Sequence, residues 1–278
     1  MRIEPVPTRL QGLWRRTRLR VPAGSGATLD DRHTAVWWLQ TPHWHADLRV
    51  PAGRPDFSGV AALADCSTAQ LRWLLTQEGF AGITSVQGHE GDTVAACRWQ
   101  RVIDHAESLS ADVGGLRFDA DGMDEWGLEA DYDERWIAEP CGPGWSAEGS
   151  ADEPPGTRLT RLRIRSGRWQ INLRARQLDA ASTRTVREAV ATDQPIARAA
   201  LLAAADCEIS LAEQVDGGWL VRRSTLPWLE GRAPRDAGPW RDLVAADMPA
   251  AIGLAAASAA SAASAASAAS PSLTHPAP

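Results

Sequence analysis

The chain is dominated by short stretches in which apolar and polar residues alternate between glycine, proline and aspartate turns, the period of two that marks half-buried strands. Residues 12–21 set Leu13, Arg15, Thr17, Leu19 and Val21 against Trp14, Arg16, Arg18 and Arg20, and end at Pro22 and the Gly24-Ser25-Gly26 turn. Strand patterns follow at 34–40 and 44–50 around Thr41-Pro42-His43, at 82–88, at 94–106, and through 116–137 with Asp121-Gly122 as a tight turn. Further hairpins are expected at 158–166 with 168–176, around Ser166-Gly167, and at 206–214 with 219–225, around Asp216-Gly217-Gly218. The period changes between Asp56 and Phe80, where Leu63, Leu71, Leu74 and Leu75 fall at helical spacing and Ser67 with Gln70 makes a capping box. Two short helices are expected there and a third segment at 195–204. The sum is a mainly β, antiparallel fold of about ten to twelve strands with short helical insertions, enough strands to close a barrel and remove its edges.

Two stretches break the pattern. Residues 140–156 crowd Pro140, Gly142, Pro143, Gly144, Gly149, Pro154, Pro155 and Gly156 and read as a long loop, either between two domains or, as taken here, within one unit spanning 1–250. From Ala255 the chain becomes an alanine-alanine-serine repeat with Ser258, Ser261, Ser264, Ser267 and Ser270 in register. A period of three drifts around a helix of 3.6 residues per turn, so 251–278 reads as a low-complexity tail that is disordered or frays.

Composition narrows the chemistry. All 29 basic residues are arginine against 35 acidic ones, a formal net charge of −6. Without lysine, a Schiff-base nucleophile, a phosphate-loop lysine and a Ser–Lys dyad are excluded. The negative balance argues against a nucleic-acid surface, which needs a basic patch. Cys66, Cys97, Cys141 and Cys207 show no CxxC pair and no zinc-ligand spacing, and no window reaches the ~20 apolar residues of a membrane span, so the expected location is the cytoplasm. The aromatics are 13 Trp, 3 Phe and 1 Tyr, and most of the tryptophans fall on expected strands, where they would line a core or a cavity.

The first strand opens with Gln11-Gly12-Leu13-Trp14-Arg15, which resembles the glycine-x-tryptophan opening of the lipocalins. Further phrases resemble a family of uncharacterised bacterial lipocalin-like proteins: Ala46-Asp47-Leu48-Arg49-Val50-Pro51, Arg54-Pro55-Asp56-Phe57-Ser58-Gly59 and Ser224-Thr225-Leu226-Pro227-Trp228. The resemblance implies an antiparallel lipocalin-like β-barrel in which Trp14 plugs one end beneath an arginine of the last strand, Arg222 or Arg223. It carries over no activity.

Three constellations hold candidate chemistry. Alternation places His43, His45, Asp47 and Arg49 on one strand face, so His43 and His45 are candidate metal ligands, with the third to come from Asp47, Glu90 or His89 if folding brings it near. Tyr132, Glu134 and Trp136 share a face, and a barrel-facing Glu134 with Tyr132 as donor would make a polar anchor or an acid–base pair. The acidic run from Asp119 to Glu134 lacks calcium-loop spacing and reads as solvated turns and polar strand faces. No phosphate loop or nucleophile elbow is present. The reading is a binding protein for a small apolar or aromatic molecule held by Trp14, Trp38, Tyr132, Glu134, Trp136 and Arg222. Two rivals stand beside it: an enzyme using Glu134 with Tyr132 or His45 with Asp47, and a filled structural barrel that meets a partner.

Overall fold

The computed structural model describes residues 4–22, 28–235 and 238–248; the expected Gly24-Ser25-Gly26 turn and the alanine–serine tail lie outside the described residues. Nine strands form the first sheet: β1 (Gly12–Pro22), β2 (Thr28–Asp31), β3 (Ala35–Gln40), β4 (Trp44–Val50), β5 (Glu78–Glu90), β6 (Thr93–Asp104), β7 (Asp112–Phe118), β8 (Met123–Gly127) and β9 (Asp133–Glu139). Consecutive strands from β3 to β9 pair antiparallel, β1 pairs with β3 on one side and β9 on the other, and the circle closes as an eight-stranded barrel. The short β2 extends one edge of β1 beyond its pairing with β3, through Leu19↔Asp31 to Pro22↔Thr28.

Gly12 adopts φ +126°, a conformation that L side chains rarely take, where the N-terminal segment turns into β1. A 3-10 turn at Thr8–Leu10 precedes it and, with Val6, lies across one end of the barrel. Trp14 sits just inside that end, 4% exposed, its indole N–H donating to the Leu10 carbonyl at 2.8 Å and its ring 6.0 Å from Phe118. Leu10, Trp14, Leu116, Phe118 and Met123 fill this end with apolar side chains.

The second sheet is open and six-stranded, in the order β14-β13-β12-β11-β10-β15, from β10 (Trp145–Ser150), β11 (Arg161–Ser166), β12 (Trp169–Arg174), β13 (Glu208–Val215), β14 (Gly218–Ser224) and β15 (Trp240–Asp242). The fifteen strands exceed the expected ten to twelve because the described chain builds a barrel and a separate sheet rather than one barrel. The expected loop at 140–156 contains β10, whose Ser-Ala-Glu-Gly sequence has weak strand preference and is held by pairing with β11 and β15.

The barrel wall packs on this sheet. Leu39, Trp44, Ala46, Leu48 and Ile83 point out of the barrel and meet Leu162, Ile164, Ile171, Leu173, Ile209 and Leu211 in one cluster. On the remaining side α1 (Thr68–Leu74), α2 (Ala180–Ala191) and α3 (Arg198–Ala205) gather with Leu226, Trp228 and Leu229 into a third cluster. The capping box of α1 forms as expected, Ser67 Oγ accepting from the Gln70 N–H and Gln70 Oε1 from the Ser67 N–H. Helix α2, absent from the sequence expectation, carries a weak apolar stripe with only Thr183 and Val186 buried.

Candidate functional site

The strands that bury apolar residues outward send charged ones inward. On β4, His45 and Asp47 lie inside the barrel at 0% and 3% exposure, and Arg49 follows two residues on. The same alternation brings Arg16 of β1, Trp38 of β3, Phe80 of β5, Trp99 and Arg101 of β6, Asp112 of β7, Glu125 of β8, and Glu134 and Trp136 of β9 toward one internal chamber. Tandem glycines in β7 make room on both sides of the wall. A Cβ on Gly114 would lie 3.2 Å from the Glu125 carboxylate, and one on Gly115 would lie 2.3 Å from the Trp126 ring outside.

The Asp47, Asp112 and Glu125 carboxyl groups and the Arg49 guanidinium line the chamber, and Glu134, Arg16 and Arg101 lie beside it. Arg49 Nε donates to both oxygens of Asp47 at 2.9 and 3.1 Å, Arg101 pairs with Asp112 at 3.0 Å, and Arg16 pairs with Glu134, both partners of that last pair about 5% exposed. Glu125 differs: the Tyr132 hydroxyl donates to it at 2.8 Å, and no arginine lies within ion-pair distance among the described residues. Burial, and then the charges of Glu134 and Asp112, hold its carboxyl well above the usual range, so the protonated form is favoured. Burial likewise pushes Asp47 up to about 6 against the opposing Arg49. The guanidinium carbons of Arg101 and Arg49 lie 4.5 and 5.5 Å from the Phe80 ring centre, in cation–π contact.

His45 is fixed as one tautomer by its neighbours. The Gln40 amide N–H₂ donates to the Thr41 and Trp44 carbonyls, so its oxygen accepts from the Thr84 hydroxyl at 2.8 Å. That uses the only Thr84 proton, and the 3.0 Å contact with His45 is then Nδ1–H donating to Thr84 Oγ1. Nε2 is left as a bare acceptor without a partner, on a ring that burial, with the Arg101 charge, keeps neutral down to about pH 3. The indole N–H groups of Trp38 and Trp136 are also buried without partners. These two rings pack edge to face at 5.8 Å, and Trp38 meets Trp99 at 5.4 Å. The cavity that these side chains enclose measures about 10 Å³, room for about one water molecule.

The wider concavities lie elsewhere. A groove of about 620 Å³ runs on the outer wall along β1, β8 and β9, where Arg18, Arg135 and Asp124 surround Trp126. Arg18 is matched by Asp30 and Arg135 by Asp119 and Asp124, whereas Arg20 and Arg117 line the groove without an ion pair among the described residues. Solvent screening makes such exposed pairs weak.

The structure sorts the sequence candidates. Trp38, Trp136, His45 and Asp47 line the chamber, and Glu134 is buried beside it. Tyr132 does not serve Glu134, which Arg16 occupies; its hydroxyl serves Glu125 instead. Trp14 belongs to the apolar end rather than the chamber. Arg222 is on β14 of the other sheet and pairs with Glu213 at 2.8 Å, so it does not cover Trp14. His43 sits in the turn between β3 and β4, away from the chamber lining, and among the described residues no group of three His, Cys, Asp or Glu is placed to hold a metal ion. Within the acidic run, Asp119 and Asp124 are surface groups as expected, whereas Glu125 and Glu134 turn inward. The signal that marks Glu125 is its place two residues after Met123 on one short strand.

The fold has a counterpart among solved structures. An uncharacterized protein of Saccharomyces cerevisiae, YLR301w, is similar with a TM-score of 0.50 over 84% of this chain and 97% of that chain, at 11% sequence identity. No protein family and no curated protein matches the chain. The likeness is one of fold alone, to a protein of uncharacterized function.

Proposed function

We propose that the protein is a lipocalin-like barrel that binds a small molecule in its polar chamber. The observation that carries this is the set of unpartnered polar atoms at a closed site: His45 Nε2 and the Trp38 and Trp136 indole N–H groups. Buried polar atoms are nearly always paired, and leaving one unpaired costs about 1–3 kcal/mol. A ligand that both donates and accepts hydrogen bonds would satisfy them. The opposite end of the barrel is filled by Leu10, Trp14, Phe118 and Met123, so the ligand class narrows from apolar to compact, hydrogen-bonding and flanked by aromatic rings. A guest larger than water enters past Arg49 and Arg101, whose side chains are 25% and 19% exposed. The four cysteines are free thiols, which fits a cytoplasmic, reducing setting for this activity.

Native mass spectrometry of gently purified protein, beside the denatured chain, tests the reading. The expected result is a small-molecule adduct that vanishes on denaturation and is weakened by His45→Leu. A bare mass, together with no thermal shift from a library of small polar compounds, would overturn it.

A further inference from the structure

We propose that the ligand of the chamber is an organic monocation carrying a protonated amine. This rests on the barrel-binding reading above and names the ligand class.

Charge balance is the first argument. Asp47, Asp112 and Glu134 each have a guanidinium, from Arg49, Arg101 and Arg16, while Glu125 has only a phenol. Were Glu125 ionised, the site would therefore be at least one positive charge short of its carboxylates, since Arg101 is also shared with Asp104 at 3.5 Å. The second argument is hydrogen-bond polarity. Glu125 and the fully buried His45 Nε2 are both acceptors lining the same cavity, and His45 Nε2 has no protein donor. An ammonium group brings three N–H donors and one charge and meets both demands, while the unpartnered Trp38 and Trp136 indole N–H groups call for an acceptor elsewhere on the same molecule. An apolar guest would leave all of these groups unpaired.

The aromatic setting is the third argument. Trp38, Trp99, Trp136 and Phe80 surround the space, and the protein already rests two of its own cations, Arg49 and Arg101, on Phe80. Desolvated cations are stabilised by such ring faces. In the unliganded barrel Glu125 stays neutral by holding a proton. The groups facing it are Asp112 on β7, Glu134 on β9, Asp47 and Arg49 on β4, Cys97 on β6, and Tyr132. An amine that replaces this missing charge lets Glu125 ionise, so binding releases about one proton and tightens as pH rises, up to tenfold per pH unit while Glu125 is protonated.

Calorimetry with benzylamine, benzyl alcohol and benzoate, near-isosteric probes of three charges, tests this. Wild-type protein is expected to bind benzylamine at least tenfold tighter than the other two and to release a proton, read from titrations in buffers of different ionisation enthalpy. Glu125→Gln keeps the Tyr132 contact through its amide oxygen; it should lose tenfold or more in benzylamine affinity and abolish proton release. If benzyl alcohol or benzoate binds as tightly as benzylamine and the binding depends on His45, the amine assignment is wrong and the binding barrel stands. If none of the three, nor methylammonium, gives heat that His45→Leu removes, both readings fall.

Discussion

The two faces of β4 differ as much as the inside and outside of most proteins, but in the reverse sense. Trp44, Ala46, Leu48 and Val50 point out of the barrel into a dry core shared with the second sheet, while His45, Asp47 and Arg49 point into it. The barrel's outer wall thus does the work of a sandwich core, each fully buried leucine contributing about 1.5–3 kcal/mol. With cohesion supplied from outside, the polar end of the interior is free to hold ionised and unpaired groups that would weaken a barrel standing alone. Stability and recognition are divided between alternate residues of one strand.

That division is broken most severely from the inside. Arg16→Ala strands Glu134 in the interior without its guanidinium, and removing one partner of a buried pair costs about 3–5 kcal/mol. Leu48→Ala, on the outer face, opens a cavity in a side chain at 0% exposure and costs about 2–5 kcal/mol. Urea unfolding in a Glu134→Gln background separates the mechanisms. The Arg16→Ala deficit should shrink once the carboxylate that it strands is gone, whereas the Leu48→Ala deficit should not move. An unchanged Arg16→Ala deficit would mean that its packing, not its charge, is what matters.

A smaller effect sharpens the inner face alone. Asp47, raised to about 6, binds a proton in the folded state before it does so unfolded, so its contribution to stability grows as pH falls from 6 toward 4. His45, lowered to about 3, is protonated first in the unfolded chain, so its contribution declines over the same interval. The two oppose each other one proton for one. In Asp47→Asn the compensation is gone, and stability should fall between pH 6 and 4 more steeply than in the wild type by about 1.4 kcal/mol per pH unit. Equal slopes would show that the two groups do not titrate as the chamber requires.

The sequence disclosed this fold unevenly. Alternation in 44–50 separates His45, Asp47 and Arg49 from Trp44, Ala46, Leu48 and Val50, and the strand keeps that division. What alternation cannot disclose is which side is the interior, because a tryptophan-rich face suits a barrel lumen and a sheet-to-sheet core equally well. The bulges at Arg16/Arg18 in β1 and Ala81/Gly82 opposite β6 add to the difficulty, since each switches the residue parity that faces inward. The assembly of Glu125, Asp112 and Arg101 with β4 depends on barrel closure, a contact between distant strands that no local pattern encodes.

The smallest expected effect concerns the arginine assigned to Trp14 by resemblance. Arg222 is 43% exposed in its side chain and pairs with Glu213 on the second sheet, while Trp14 is anchored by the Leu10 carbonyl and packed against Phe118 at the far end of the barrel. An exposed pair of this kind is worth about 0–1 kcal/mol, so Arg222→Ala should change stability by less than about 0.5 kcal/mol and leave the tryptophan fluorescence maximum in place. Trp14→Phe is the matching change at the other end: it removes the hydrogen bond to Leu10 and part of the plug, and should cost more than the arginine at every pH. If Arg222→Ala instead proved as damaging as Trp14→Phe, and the pair together no worse than either, the two would share one contact, and the second sheet rather than the N-terminal turn would close the barrel.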